Sequence, residues 1–204
     1  MKDFVNVGLL GAGTVGGGVL KVLEKNAEKI AKEVGKPVRI TKVLDRHVDR
    51  LKQEYGDKYI FTDNADEVLE DKDIDIIVEL LGREHPAKEF IARAFANGKH
   101  VVTANKDVLA KFGAELFPLA HEHNCDFMFE ASVCGGIPII GPLKTSMAAN
   151  QITSIMGIVN GTTNYILTKM DKEGETFENA LKEAQNLGYA ERNPEADVEG
   201  YDAC

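Results

Sequence analysis

Apolar and polar positions change rhythm in blocks along the 204-residue chain. Residues 5–10 form a short, almost unbroken apolar run that ends in Gly11-Ala12-Gly13, as a buried strand would. Over residues 15–34 the apolar positions Val15, Val19, Leu20, Val22, Leu23, Ile30 and Val34 recur at helical spacing, and Gly35-Lys36-Pro37 closes that predicted helix. Residues 38–44 and 59–62 read as a second and a third strand. Residues 74–81 read as a fourth, apolar throughout apart from Asp75 and Glu79, the pattern of a strand covered on both faces. A helix is expected over 86–97, with Pro86 in its first turn and Gly98 past its end. A fifth strand at 100–103, a helix at 113–123 and a sixth strand at 126–130 complete the series. Strands alternating with helices predict a parallel sheet built from right-handed crossovers.

After Glu130 the rhythm changes. Residues 132–141 are rich in glycine and apolar side chains and lead into a short predicted helix ending at Lys144. Residues 151–159 carry several β-branched side chains and predict a long strand, followed by helices over 162–170 and 177–187. The boundary therefore falls within 131–150 and is drawn after residue 135. The expected fold is α/β: a Rossmann-like parallel sheet in a dinucleotide-binding domain at 1–135, then a partial α+β domain at 136–204 for substrate binding and dimerisation. There is no internal repeat and no low-complexity segment.

Composition narrows the function classes. Hydrophobic residues make up 44% and charged residues 28%, the balance of a soluble globular protein. The apolar runs are too short to cross a bilayer, and no secretory signal pattern is visible, so no membrane partner is expected. A formal charge of −9 repels phosphate backbones and speaks against nucleic-acid binding. Cys125, Cys134 and Cys204 have no metal-ligand spacing, and an odd count suits a reducing compartment, hence the cytoplasm.

Candidate chemistry begins at Gly11-Ala12-Gly13-Thr14-Val15-Gly16, a G-x-G-x-x-G sequence between a predicted strand and a predicted helix. In that setting Gly11 makes the tight turn, Gly13 lets the backbone approach a pyrophosphate, and Gly16 permits close helix–strand packing; the helix N-terminus offers N–H groups to the phosphates. Asp45 and Arg46 follow the second strand. The acid would accept hydrogen bonds from ribose hydroxyls and favour NAD, whereas the guanidinium would pair with a 2′-phosphate and favour NADP. The two signals conflict.

Further along, Val101-Val102-Thr103-Ala104-Asn105-Lys106 sets a lysine at the C-terminal edge of a parallel strand, where it is either a carbonyl-polarising cation or an ordinary helix-start residue. Asn160 to Tyr165 is a polar run after an apolar one, in which Thr162 or Thr163 would cap a helix. Glu191, Glu195, Asp197, Glu199 and Asp202 crowd twelve residues, interrupted by Val198 and Gly200. They suit a substrate ammonium group or else form a solvated acidic loop. Cys134 in its glycine-rich turn raises an aldehyde dehydrogenase with a thiol nucleophile as a rival, weakened because no histidine follows it.

The sequence resembles the homoserine dehydrogenases over essentially its whole length. The glycine motif, Thr103-Ala104-Asn105-Lys106, Glu130-Ala131-Ser132-Val133 and Gly157 through Asn164 match that family. The specific stretch is Ala184 to Asp202, with Gly188-Tyr189-Ala190, Glu191, Asn193-Pro194, Asp197, Gly200 and Asp202. The resemblance implies interconversion of homoserine and aspartate 4-semialdehyde with NADP or NAD, and supports Arg46 as a 2′-phosphate ligand, tilting the choice to NADP. It implies Thr103 and Lys106 at the cofactor, Lys106 and Asp202 in catalysis, and Glu191, Asp197 and Asp202 at the amino-acid substrate. It also implies a sodium or other monovalent cation held near Glu130, Val133, Gly135 and Ile137, mostly by backbone carbonyls, and a homodimer in the full-length form. Two departures stand out. Gly82-Arg83 replaces the family's more usual glycine pair. The family signature ends on a lysine that would fall at position 206, past Cys204, so a truncated, catalytically incomplete nucleotide-binding fragment of that family stands as the alternative reading.

Overall fold

The structure, a computed structural model, describes residues 2–191 and 193–203. It divides into two compact units, Met1–Ala148 and Ala149–Cys204.

The first unit is a six-stranded, all-parallel sheet in the order β3-β2-β1-β4-β5-β6. Its strands are β1 (Val5–Leu10), β2 (Val38–Leu44), β3 (Ile60–Thr62), β4 (Ile76–Glu79), β5 (His100–Thr103) and β6 (Phe127–Met128). Between them lie α1 (Thr14–Lys25), α2 (Ala27–Val34), α3 (Val48–Tyr55), α4 (Asp66–Leu69), α5 (Ala87–Ala96) and α6 (Lys106–Glu122), and α7 (Ile140–Lys144) follows the sheet. Side chains alternate across each strand, which yields two cores. Val7 and Leu9 of β1 and Val43 of β2 pack with Leu20 of α1 and Leu51 of α3. Leu10, Leu44 and Ile77 turn the other way and pack with Ile91 and Phe95 of α5 and Val108 and Leu116 of α6.

Strand order reverses between β1 and β4, so a crevice opens beyond their C-terminal ends. No helix among the described residues is long and apolar enough to cross a membrane.

Several expectations need correction. The helix expected over 15–34 is two helices, because Asn26 leaves helical geometry (φ −112°, ψ 18°) and its side-chain amide donates to the Val22 carbonyl. Val15, Val22 and Val34, assigned to its inner face, are more than half exposed. Helices α3 and α4 lie in stretches that are too polar or too short to show an apolar period. Helix α6 starts at Lys106, seven residues before the apolar spacing suggested, because Asn105 caps it by accepting from Val108 N–H. Strand β6 stops at Met128, and Glu130–Ser132 form a single 3₁₀ turn.

The second unit contains α8 (Gly161–Glu173), α9 (Phe177–Asn186) and α10 (Glu195–Val198), with a small core of Ile166, Ala180, Ala184 and Ala190. The strand expected over 151–159 is absent, and Ile155, Met156, Ile158 and Val159 are exposed. A strand exists through its ladder, and no described strand pairs with this segment, so β-branched composition alone does not form one.

Candidate functional site

The glycine loop has the geometry its sequence implies. Gly11 has φ +94°, and a β-carbon there would lie 2.8 Å from the Leu80 carbonyl oxygen; only glycine suits both conditions. A β-carbon on Gly16 would lie 2.1 Å from the Gly11 carbonyl oxygen, so α1 can approach the loop this closely only without a side chain. Gly13 differs: nothing stands within 4 Å of the β-carbon position, and Gly13, Thr14 and Val15 are exposed. The loop is therefore rigid underneath and open above. Helix α1 begins there with no side-chain cap and no acid in its first turn, leaving N–H groups and the positive end of the helix for an anion. This is a cradle that fits a pyrophosphate.

At the end of β2, Asp45 is drawn into that cradle. Its Oδ2 accepts from Ala12 N–H and its Oδ1 from His47 N–H, at 2.9 and 2.8 Å. Burial pushes this carboxyl up. The two backbone N–H groups and the charges of Arg50 and His47 outweigh it, and the group ends below the usual carboxylate range. Arg46 is exposed and lines two neighbouring hollows. One, of about 550 Å³, is polar and of mixed charge, with Arg46, Arg50 and Lys52 alongside Asp49, Asp63 and Glu67 among its walls. The other, of about 320 Å³, is lined largely by apolar groups, including Ala65, Leu81, Pro86 and Phe90, and also by Arg83. It has the size and character to take a flat heterocycle.

Beyond the crevice, the ends of β4 and β5 are joined through Glu79. This side chain has no exposed surface. Its Oε1 accepts from Leu81 N–H at 2.7 Å and its Oε2 from the Thr103 hydroxyl at 2.6 Å. The Thr103 oxygen in turn accepts from Asn105 N–H at 3.0 Å, and the Asn105 side-chain amide donates to the Arg83 carbonyl at 2.8 Å. Thr103, expected at the cofactor, thus turns its hydroxyl inward and offers the crevice only its backbone. Lys106, exposed, opens α6 beside it.

The residues expected to hold a cation lie in a tight turn after β6. Cys134, Gly135 and Gly136 have positive φ (57°, 42° and 89°). The Glu130 carboxylate accepts three backbone N–H groups, from Ile139, Ile140 and Gly141, at 2.6–2.9 Å. Those bonds hold its pKa below the ordinary value. Its side chain is committed to the start of α7, which leaves backbone carbonyls, hard oxygen donors, as the set available in the turn. Among the described residues no cluster of three or more His, Cys, Asp or Glu side chains is gathered for a metal. Cys125 and Cys134 are free thiols, and Cys204 lies outside the described residues.

In the second unit two of the predicted acids come together. The side-chain amide of Asn160 donates to Asp197 Oδ1 at 2.7 Å and to Asp202 Oδ2 at 2.8 Å. Its carbonyl oxygen caps α8 by accepting from Thr163 N–H at 2.7 Å. These groups border an open cleft of about 670 Å³ that Tyr165 and Tyr189 also line. Glu191 is exposed and does not line this cleft. The sequence reading placed the cap on Thr162 or Thr163 and passed over Asn160. The signal was available, since asparagine is among the strongest N-caps. Glu79 was also passed over, although a charge inside an apolar strand marked it.

Comparison with known proteins agrees with this geometry. A family model described as "Homoserine dehydrogenase, NAD binding domain" matches residues 11–130, and one described as "Homoserine dehydrogenase" matches residues 138–204. The homoserine dehydrogenase of Bacillus subtilis is 47% identical over 98% of this chain and 46% of its own length. That of Neisseria gonorrhoeae is 49% identical, again over 98% and 46%. The chain spans about half the length of the curated relatives it matches. A crystal structure of a homoserine dehydrogenase from Thiobacillus denitrificans superposes with a TM-score of 0.91 at 48% identity, covering 98% of this chain and 46% of that one. A hyperthermophilic archaeal homoserine dehydrogenase in complex with NADPH superposes with a TM-score of 0.83 at 30% identity, covering 98% of this chain and 66% of that one.

Proposed function

Since this chain belongs to the homoserine dehydrogenase family, we propose that it carries the nucleotide site and part of the substrate site of an enzyme interconverting homoserine and aspartate 4-semialdehyde. The observation that carries the reading is the glycine loop, closed beneath at Gly11 and Gly16 and open above at Gly13. On this reading the pyrophosphate lies over Gly13 and the α1 N-terminus, and the adenosine half extends toward Asp45 and Arg46. The other half extends toward the ends of β4 and β5. The nicotinamide, when bound, supplies hydride chemistry. Lys106 stands at the carbonyl oxygen of the substrate, where a cation stabilises charge that develops in the transition state. Asp197 and Asp202 receive the ammonium end of the amino acid, and Asp202 takes part in proton transfer. Glu191 belongs to the same acid set.

NADP(H) is the preferred nucleotide on this reading. Each carboxylate oxygen of Asp45 already accepts a backbone N–H group, which leaves fewer acceptor sites for ribose hydroxyls. Arg46, exposed on the wall of the neighbouring polar hollow, presents a guanidinium suited to a 2′-phosphate. A monovalent cation, sodium for example, is held by the carbonyls of the 130–137 turn, through Glu130, Val133, Gly135 and Ile137. The full-length protein is a cytoplasmic homodimer serving threonine, methionine and isoleucine biosynthesis.

Titration calorimetry tests the nucleotide site. Gly13→Val should abolish NADPH binding while circular dichroism stays that of the parent, because the added side chain occupies only the open space above the loop. Unchanged affinity would sink the assignment. Arg46→Ala should weaken NADPH far more than NADH; equal losses would mean that Arg46 does not choose between them.

A further inference from the structure

Glu79 is a carboxylate with no exposed surface, set at the last position of β4 and used by none of the steps above. Burying such a group is costly unless its oxygens are satisfied by hydrogen bonds. Here each oxygen receives a donor from a different loop. Leu81 N–H belongs to the segment after β4, and the Thr103 hydroxyl to the end of β5. Because the Thr103 hydrogen is given to Glu79, its oxygen is oriented to accept from Asn105 N–H. Asn105 then closes the circuit by donating to the Arg83 carbonyl and by capping α6, the helix that Lys106 opens. Two hydrogen bonds to the buried carboxylate, of 2.7 and 2.6 Å, thus join Leu81 to Thr103; a third, of 3.0 Å, ties Thr103 to Asn105, and a fourth, of 2.8 Å, joins Asn105 to Arg83 directly.

We propose that Glu79 is a positioning residue that locks the loop after β4 to the turn after β5, and so fixes the floor beneath the nicotinamide half of the nucleotide and the backbone that carries Lys106. This rests on the nucleotide reading for the identity of the ligand, but the locking of the two loops does not. A purely structural acid in the core would weaken all nucleotide binding alike if removed. A lock on the β4–β5 side acts on one half of the ligand only, because the adenosine half lies toward β2 on the other side of the glycine loop.

The test uses Glu79→Gln and Thr103→Val in the full chain, each titrated with NADPH and with 2′,5′-ADP, which lacks the nicotinamide half. Both variants should bind NADPH about tenfold more weakly, the loss of roughly one hydrogen bond to a charged group. Their affinity for 2′,5′-ADP should stay within about twofold of the parent's, since no contact on the β2 side has changed. Equal loss for both ligands, or no loss for either, overturns the proposal. If Glu79→Gln does not fold, Thr103→Val carries the same comparison, because it keeps the carboxylate and removes the hydroxyl that donates to it and accepts from Asn105 N–H. Hydrogen exchange supplies a readout that needs no nucleotide. The Leu81 and Asn105 amides should exchange at least about tenfold faster in the variants, while Ile77 and Val101 in the adjoining strands keep their protection. Unchanged exchange at Leu81 and Asn105 overturns the lock. A parent that binds neither ligand refutes the nucleotide reading and leaves exchange to decide on Glu79.

Discussion

At the scale of single residues, the glycine loop separates packing from binding. A methyl group at Gly16 meets the Gly11 carbonyl at 2.1 Å, and backbone cannot step aside as a flexible side chain would. Gly16→Ala should therefore lower unfolding stability by about 1–3 kcal/mol, read as a lower urea midpoint; an unchanged midpoint would mean that α1 shifts freely. Asp45 and Glu79 make opposite predictions about pH. Asp45 has a depressed folded pKa, so it contributes stability above its unfolded value and loses it as pH falls through the folded one. Relative to Asp45→Asn, the parent should lose stability on acidification. In Glu79, burial outweighs the donors from Thr103, Leu81 and Asn105 and raises the pKa. The folded state then holds the proton more tightly than the unfolded chain does. Stability falls as pH rises from the unfolded carboxyl value through the raised folded one. Compared with Glu79→Gln, the parent should lose stability over that rise. Denaturant titrations at a series of pH values check both, and a pH-independent difference in either pair contradicts the assigned shift.

At the scale of elements, α8 depends on a residue that has two tasks. Asn160 caps the helix with its carbonyl oxygen and gathers Asp197 and Asp202 with its amide. Asn160→Asp separates the tasks. Aspartate caps a helix about as well as asparagine does, but it sets a third carboxylate against two others. The variant should be less stable than the parent, and the deficit should shrink at high salt as the repulsion is screened. An unchanged melting temperature would show that the two aspartates do not depend on the Asn160 amide. Helix α6 illustrates how much one cap decides. Asn105 moves its start to Lys106, so the lysine stands at the sheet edge instead of in a preceding loop.

At the scale of the whole molecule, the two units differ greatly in what they bury. The sheet unit has two cores that include Phe95, Leu9, Leu10 and Ile91, all with essentially no exposure. Among the described residues the core of the second unit has only Ile166 and three alanines buried, with Tyr165, Met170 and Leu181 partly buried against them. At roughly 25 cal/mol per Å² of buried apolar surface, this smaller core offsets less of the entropy of ordering its helices than the two cores of the sheet unit do. Amides of α8 and α9 should therefore exchange faster than those of β1 and β4; equal protection would refute this. Ile155, Met156, Ile158 and Val159 form an exposed apolar run. Ile155→Thr with Ile158→Thr should reduce binding of a hydrophobic dye, and unchanged dye fluorescence would place the sticky surface elsewhere.

Local pattern alone determined most of the sheet unit. Short apolar runs bounded by turn residues made β1, β2 and β5 legible to the residue, even with Arg39 and Lys42 inside β2, and the glycine sequence revealed the turn between β1 and α1. Asp197 and Asp202 were legible as members of an acid cluster, and the fold brings the two together at Asn160. Partnership was decided only in three dimensions. Residues 151–159 have strand composition but no ladder, and a ladder is supplied by other parts of a structure. Asp45 reads as a free acid at a strand end until the glycine loop, 33 residues away, engages one of its oxygens. Glu79 reads as a flaw in an apolar strand until Thr103 and Leu81 are placed against it. In each case side-chain chemistry is set by the residue, but the group that satisfies it arrives from a distant part of the chain. Hydrogen bonds and burial, unlike periodicity, leave no local trace of where that partner lies.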